Sequence, residues 1–240
     1  MDIVAAEMRR VLRPLDKACS HQAPFAFMYL RVTTGVNDVR FDDPAYLTHL
    51  DAVFAGSYFD AARAWKKGRK ASVPKAWQMA FGSADGRRVR GLGDLLLGMN
   101  AHISRDLPFA LAEVGLTNSK GQSVRRDFKY VNSLLGEVQT PMVKAAARRY
   151  DPSIDDMTTI TLGLVSRPVL WFIEQWRNTA WADAERLVNA SPGAERRAVE
   201  QDIEKKAASI ASVIRWAFAY PPLSRASRSR EGYCEDRLSQ

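Results

Sequence analysis

His102 and Asp106 are the residues whose type and spacing most clearly suggest chemistry. They lie in Gly98-Met99-Asn100-Ala101-His102-Ile103-Ser104-Arg105-Asp106-Leu107-Pro108, at the end of an apolar run over residues 92–99. On a helix, an i,i+4 pair shares one face. A polar pair set into such a run must be hydrogen-bonded, hold something, or cost stability. Histidine exchanges a proton near neutral pH, and a carboxylate one turn away can hold its tautomer and raise its basicity. The pair therefore reads as a general acid or base with its orienting group. A satisfied structural network uses the same two residues.

The pattern extends backwards. Asp94, Gly98, His102 and Asp106 recur at steps of four. Gly98 costs the helix about 1 kcal/mol, so it either admits a neighbouring helix or leaves room for a ligand. Asn100 falls on another face. Downstream, Arg126-Asp127-Phe128-Lys129-Tyr130-Val131-Asn132 puts Asp127 on the apolar side of its helix, three residues after Val124 and four before Val131. Asp127 is thus a second candidate to orient His102, with an ion pair to a neighbouring arginine as the alternative. The catalytic set expected is His102, Asp106 and Asp127. Asp94, Gly98, Asn100, Asn132 and Trp77 are expected around the substrate.

Metal chemistry would use His102 and Asp106 as two ligands. Zinc asks for three or four, mostly His or Cys, and the chain offers only His21 and His49 beyond His102. No cofactor is expected, and a divalent metal on His102 and Asp106 is the alternative. Phe41-Asp42-Asp43-Pro44 is similar to the diphosphate-binding aspartates of terpene synthases. Asp43 before Pro44 is better read as a helix N-cap, and Pro108 stands where that family's second metal motif needs an acid.

The elements that must position these residues read as helical almost throughout. A first helix over residues 3–19 contains Pro14. Residues 25–32 fit a helix or a short extended stretch. After Asp43-Pro44, Leu47, Leu50, Phe54, Tyr58, Ala61 and Trp65 keep helical spacing. A short helix surrounds Trp77 and Phe81, and a long central helix covers residues 89–105. Pro108 opens a segment closed by Gly115. Val124 to Val138 marks another helix. A capping arrangement of Ser153 with Asp156 precedes a helix through Leu164, Trp171, Trp176 and Leu187, bent at Pro168. A last helix ends near Tyr220. The expectation is an all-α, single-domain bundle of about eight helices over residues 1–220, followed by a mobile basic tail over residues 221–240.

Composition narrows the class. The 240 residues are 46% hydrophobic, enough for a sizeable core, and no apolar run reaches membrane-spanning length. The opening residues carry acids early and read as a helix start, so a cytoplasmic location is expected. Cys19 and Cys234 belong to no spaced motif and are expected as free thiols. The net charge of +8 comes without a recognition-helix, zinc-finger or single-strand-binding signature, so nucleic acid is not the expected partner. Anionic small molecules or acidic proteins suit such a surface equally well.

Taken together, the Phe41–Pro44, Gly98–Pro108 and Arg126–Asn132 segments resemble a mainly actinobacterial family known only as a domain of unknown function. The resemblance covers roughly residues 40–190, and Asn100-Ala101-His102-x-x-x-Asp106 is its most specific part. It implies a helical fold with a recurring His/Asp centre, and a likeness to accessory enzymes of specialised metabolism. The expected function is acid–base chemistry on a small, partly apolar metabolite in an interhelical pocket: cyclisation, elimination, isomerisation or hydrolysis. A metal-dependent hydrolase and a non-catalytic scaffold are the alternatives. The sequence leaves the oligomeric state open.

Overall fold

The computed structural model describes residues 2–37, 41–154, 159–162, 165–220 and 226–239. Helix α1 (Asp2–Lys17) accommodates Pro14 and packs on α2 (Ala23–Asn37). Helix α3 (Pro44–Lys66) starts as its sequence dictates: the Asp43 carboxylate accepts the Tyr46 N–H at 2.9 Å, and Pro44 takes the first position. Helix α4 (Lys75–Asp85) follows a short 3₁₀ turn at Lys70–Ser72.

The expected central helix divides into three parts. Helix α5 (Gly91–Asn100) runs into a π-helical turn at Ala101–Asp106, which continues as α6 (Leu107–Val114). Gly115 ends α6 at φ +97°, a conformation L side chains rarely adopt, and returns its N–H to the Leu111 carbonyl. Helix α7 (Arg125–Tyr150) carries Pro141 within it. Helices α8 (Val169–Asn189), α9 (Ala194–Ala217) and α10 (Ala226–Ser239) complete the described chain.

Among the described residues the bundle is all-α apart from one antiparallel hairpin. Strand β1 (Thr159–Leu162) pairs with β2 (Val165–Pro168), Thr159 opposite Pro168 and Leu162 opposite Val165. The hairpin replaces the first part of the helix expected through Leu164 and Pro168. Thr159, Ile160, Thr161 and Val165 are β-branched, and χ1 crowding favours the extended form for such a run. Asp156 of the expected cap and Leu164 lie outside the described residues. No described helix is long and apolar enough to cross a membrane.

Two hydrophobic clusters form the interior. The larger gathers Met8, Ala26, Tyr58, Trp77, Leu95 and Tyr150 among others. The smaller joins Leu47, Leu50, Leu107, Leu111, Phe128 and Trp181. Ile103, in the π turn, packs against both.

The C-terminal segment departs from expectation. Residues 226–239 are helical rather than a mobile tail, and Cys234 is bonded to Cys19 with the Cα atoms 5.9 Å apart. The two cysteines are therefore not free thiols. Such a bond persists in oxidising surroundings, and a cytoplasmic chain would ordinarily hold these cysteines reduced.

Candidate functional site

The π turn is what presents His102. Its defining bond runs from the Leu107 N–H to the His102 carbonyl, five residues back. The wider turn shifts the phase of the helix, so α5 and α6 direct their apolar faces to different clusters. At the junction His102 is buried, 3% exposed.

One nitrogen of the imidazole is held and the other is left open. Nδ1 lies 3.2 Å from Asp106 Oδ2. The same Oδ2 accepts the Trp77 indole N–H at 2.8 Å, and Oδ1 accepts from Arg105 at 3.1 Å. Arg105 is fixed in turn by Glu204 of α9 at 2.7 Å. A carboxylate that accepts on both oxygens requires Nδ1 to carry the hydrogen, which leaves Nε2 as a lone-pair acceptor. Nε2 is buried and has no hydrogen-bond partner among the described residues. Phe54 stacks on the ring at 3.6 Å and 7°, and Tyr29 lies 4.4 Å away. Burial lowers the His102 pKa, outweighing the opposing pull of the Asp106 hydrogen bond and charge. The ring is therefore neutral at neutral pH, with the lone pair on Nε2.

His102 lines a cavity of about 170 Å³ at the seam of the two clusters. Its walls are almost wholly apolar: Phe25, Met28 and Met99 on one side, Leu47, Leu50, Leu107 and Leu111 on the other. A dry apolar cavity of about 150 Å³ accepts benzene, so this one has room for a ring with a small substituent. Three further polar atoms belong to its lining, and all are buried without a hydrogen-bond partner among the described residues. They are the Tyr29 hydroxyl, Thr33 Oγ1 and Asp51 Oδ2. Burial pushes Asp51 up to about 6 and Tyr29 well above its ordinary value. Arg177, from α8, is the lining's cationic group.

The other residues expected at the site are distributed differently. Asp106 and Trp77 meet His102 but sit behind it, as its positioning shell. Asp127 does not orient His102: its two oxygens accept the Asp42 and Asp43 N–H groups, each at 3.1 Å, and so tie α7 to the start of α3. Those two backbone donors satisfy the buried carboxylate, and no arginine pairs with it among the described residues. Asn100 donates to the Ala207 carbonyl of α9 at 2.8 Å. Asn132 accepts from Arg177 at 2.5 Å. Gly98 leaves no room for a ligand, because the Phe25 ring fills its notch: a Cβ there would lie 2.4 Å from Phe25 Cγ.

Asp94 belongs to a second buried cluster. It meets His21 Nδ1 at 2.9 Å, with Arg230 of α10 at 4.0 Å, while Arg230 also reaches Asp151 at 3.7 Å. Burial, then the nearby Arg230 and Arg87, hold His21 at about 3, and burial raises Asp94. Sequence spacing placed Asp94 in line with His102, yet its partner comes from 73 positions away. Tyr29, Thr33 and Arg177 were not singled out from sequence. The available signal was Arg177 itself, a charge four residues after Ile173 and four before Trp181 on an apolar helix face.

Among the described residues, no group of three or more His, Cys, Asp or Glu is arranged to hold a metal ion. The fold and site thus define an all-helical bundle with a His–Asp pair at an apolar cavity. Residues 1–216 match the Family of unknown function (DUF5995), and the chain belongs to that family. No curated protein and no solved structure matches it.

Proposed function

We propose that the protein is a small-molecule enzyme in which His102 is the general base and Asp106 holds its tautomer. One observation carries this reading: a buried imidazole nitrogen, without a hydrogen-bond partner among the described residues, lines an apolar cavity while its other nitrogen is anchored. His21 shares the pattern, with Nδ1 on Asp94 and Nε2 without a partner among the described residues, but it does not line the cavity; the cavity beside the ring is what sets His102 apart. The nearby hydroxyls of Tyr29 and Thr33 are donors without acceptors, suited to a carbonyl oxygen on which negative charge develops. Together these groups fit proton abstraction beside a carbonyl, as in isomerisation, elimination or cyclisation. The substrate is a small, largely apolar metabolite, and a place in specialised metabolism is part of the proposal.

The test follows deuterium. Acetophenone and cyclohexanone are incubated with the protein in D₂O, and exchange at the carbon beside the carbonyl is followed by NMR. The protein should accelerate exchange of at least one ketone, and His102→Gln should remove about 100-fold or more of that acceleration. Equal rates with and without the imidazole would contradict the proposal.

A further inference from the structure

Among the described residues Arg177 has no counter-ion. It is 7% exposed and lines the same cavity as His102, yet no acidic side chain among the described residues pairs with it. Two of its donor groups are engaged by neutral acceptors: Nε gives its hydrogen to Asn132 Oδ1 at 2.5 Å, and Nη2 to the Phe128 carbonyl at 2.9 Å. The guanidinium lies over the Phe128 ring, 4.3 Å from its centroid. These three contacts fix the orientation of the group, and among the described residues no acceptor is hydrogen-bonded to Nη1. Burial without a counter-charge pulls the arginine down to about 10.

Burying an unpaired guanidinium is expensive, and an arginine kept for packing alone would be replaced at little loss by an apolar side chain. The arrangement is economical when the counter-ion arrives with a ligand. A fixed planar fork of this kind matches a carboxylate in particular. We infer that Arg177 is the anchor for an anionic head group, and that the cavity's ligand is a small apolar carboxylate whose body lies among the apolar walls. The inference rests on the cavity being the binding site, as proposed above. It adds the chemical class: an aryl or short branched-chain carboxylic acid in its ionised form, in place of a neutral hydrocarbon or alcohol.

Benzoate and phenol serve as probes, since both fit the volume and only one carries a charge at pH 7.5. Binding is measured by calorimetry on the full chain and on Arg177→Met, which keeps the length and apolar stem. Circular dichroism and the thermal midpoint check the fold of the variant. The expected result is that benzoate binds the wild-type chain at least tenfold more tightly than phenol. Arg177→Met should lose at least tenfold in benzoate affinity while phenol affinity changes less than threefold. Phenol binding with benzoate equal or weaker would overturn the carboxylate inference and leave the cavity reading standing. Failure of both probes to bind would overturn both. If the variant does not fold, the comparison of the two probes on the wild-type chain still decides the matter.

Discussion

His102 is neutral because burial opposes its charged form more strongly than Asp106 favours it. The consequence for pH has a definite sign. In the unfolded chain the imidazole has its ordinary value near 6.5, whereas in the fold the value is lower. Below about 6.5 the unfolded state therefore takes up a proton that the fold refuses, and the stability contributed by neutral His102 is lost as pH falls toward the folded value. His21, held at about 3, acts in the same direction, while Asp51, raised to about 6, acts in the opposite one. In a titration followed by nitrogen NMR, the His102 midpoint should fall below the ordinary 6.5, with Nδ1 protonated and Nε2 bare above it. A titration midpoint at 6.5 or above would remove the base from the account.

The π turn and the Gly98 notch together shape the site. Gly98 lets Phe25 of α2 press onto α5, and Phe25 then forms one wall of the cavity, 5.8 Å from the His102 ring. Gly98→Ala should improve helix propensity by about 1 kcal/mol yet destabilise the chain, because overpacking of this kind costs about 1–3 kcal/mol. Chemical denaturation measures the balance; a variant more stable than wild type would show that the notch is not under contact. Several elements were legible in the sequence because local chemistry determines them: the Asp43-Pro44 helix start, the Gly115 stop, and the apolar stripe of α3. The π turn was not, since a single wide turn has no residue signature of its own and shows only as a change of phase between the helices on either side. The His102–Asp106 contact survives that change of geometry. Inferences along the same helix face do not: Asp94 and Gly98 each serve a different neighbour, and Asn100, on another face, serves a third. Asp127 was correctly placed as buried, but its partners are backbone N–H groups of another segment, and hydropathy carries no signal for those.

At the scale of the molecule, the disulfide closes the chain from the end of α1 to α10 across a separation of 215 positions. It secures α10, and with it Arg230 beside His21, Asp94 and Asp151. Two cysteines without a spacing motif gave no sequence sign of this. Cross-linking so long a loop restricts the unfolded chain strongly, by about 5 kcal/mol at the upper end of the entropic estimate. The bundle thus holds two polar groupings in its apolar interior. One, around His21, is covered by α10, and there too His21 Nε2, Asp94 Oδ1 and Arg230 Nε have no hydrogen-bond partner among the described residues. The other, around His102, borders a cavity where two cores meet and whose lining residues carry four buried polar atoms without a hydrogen-bond partner among the described residues. Only the second lines the cavity, and this leads to the most direct measurement: nitrogen NMR of the His102 imidazole during titration with phenol and, separately, with benzene. Phenol should shift the Nε2 resonance in a saturable way as its hydroxyl donates to that nitrogen, whereas benzene, which fills the same space without a donor, should leave it nearly unmoved. Phenol that binds without moving Nε2, or that does not bind, would contradict the assignment of His102 as the base facing the cavity.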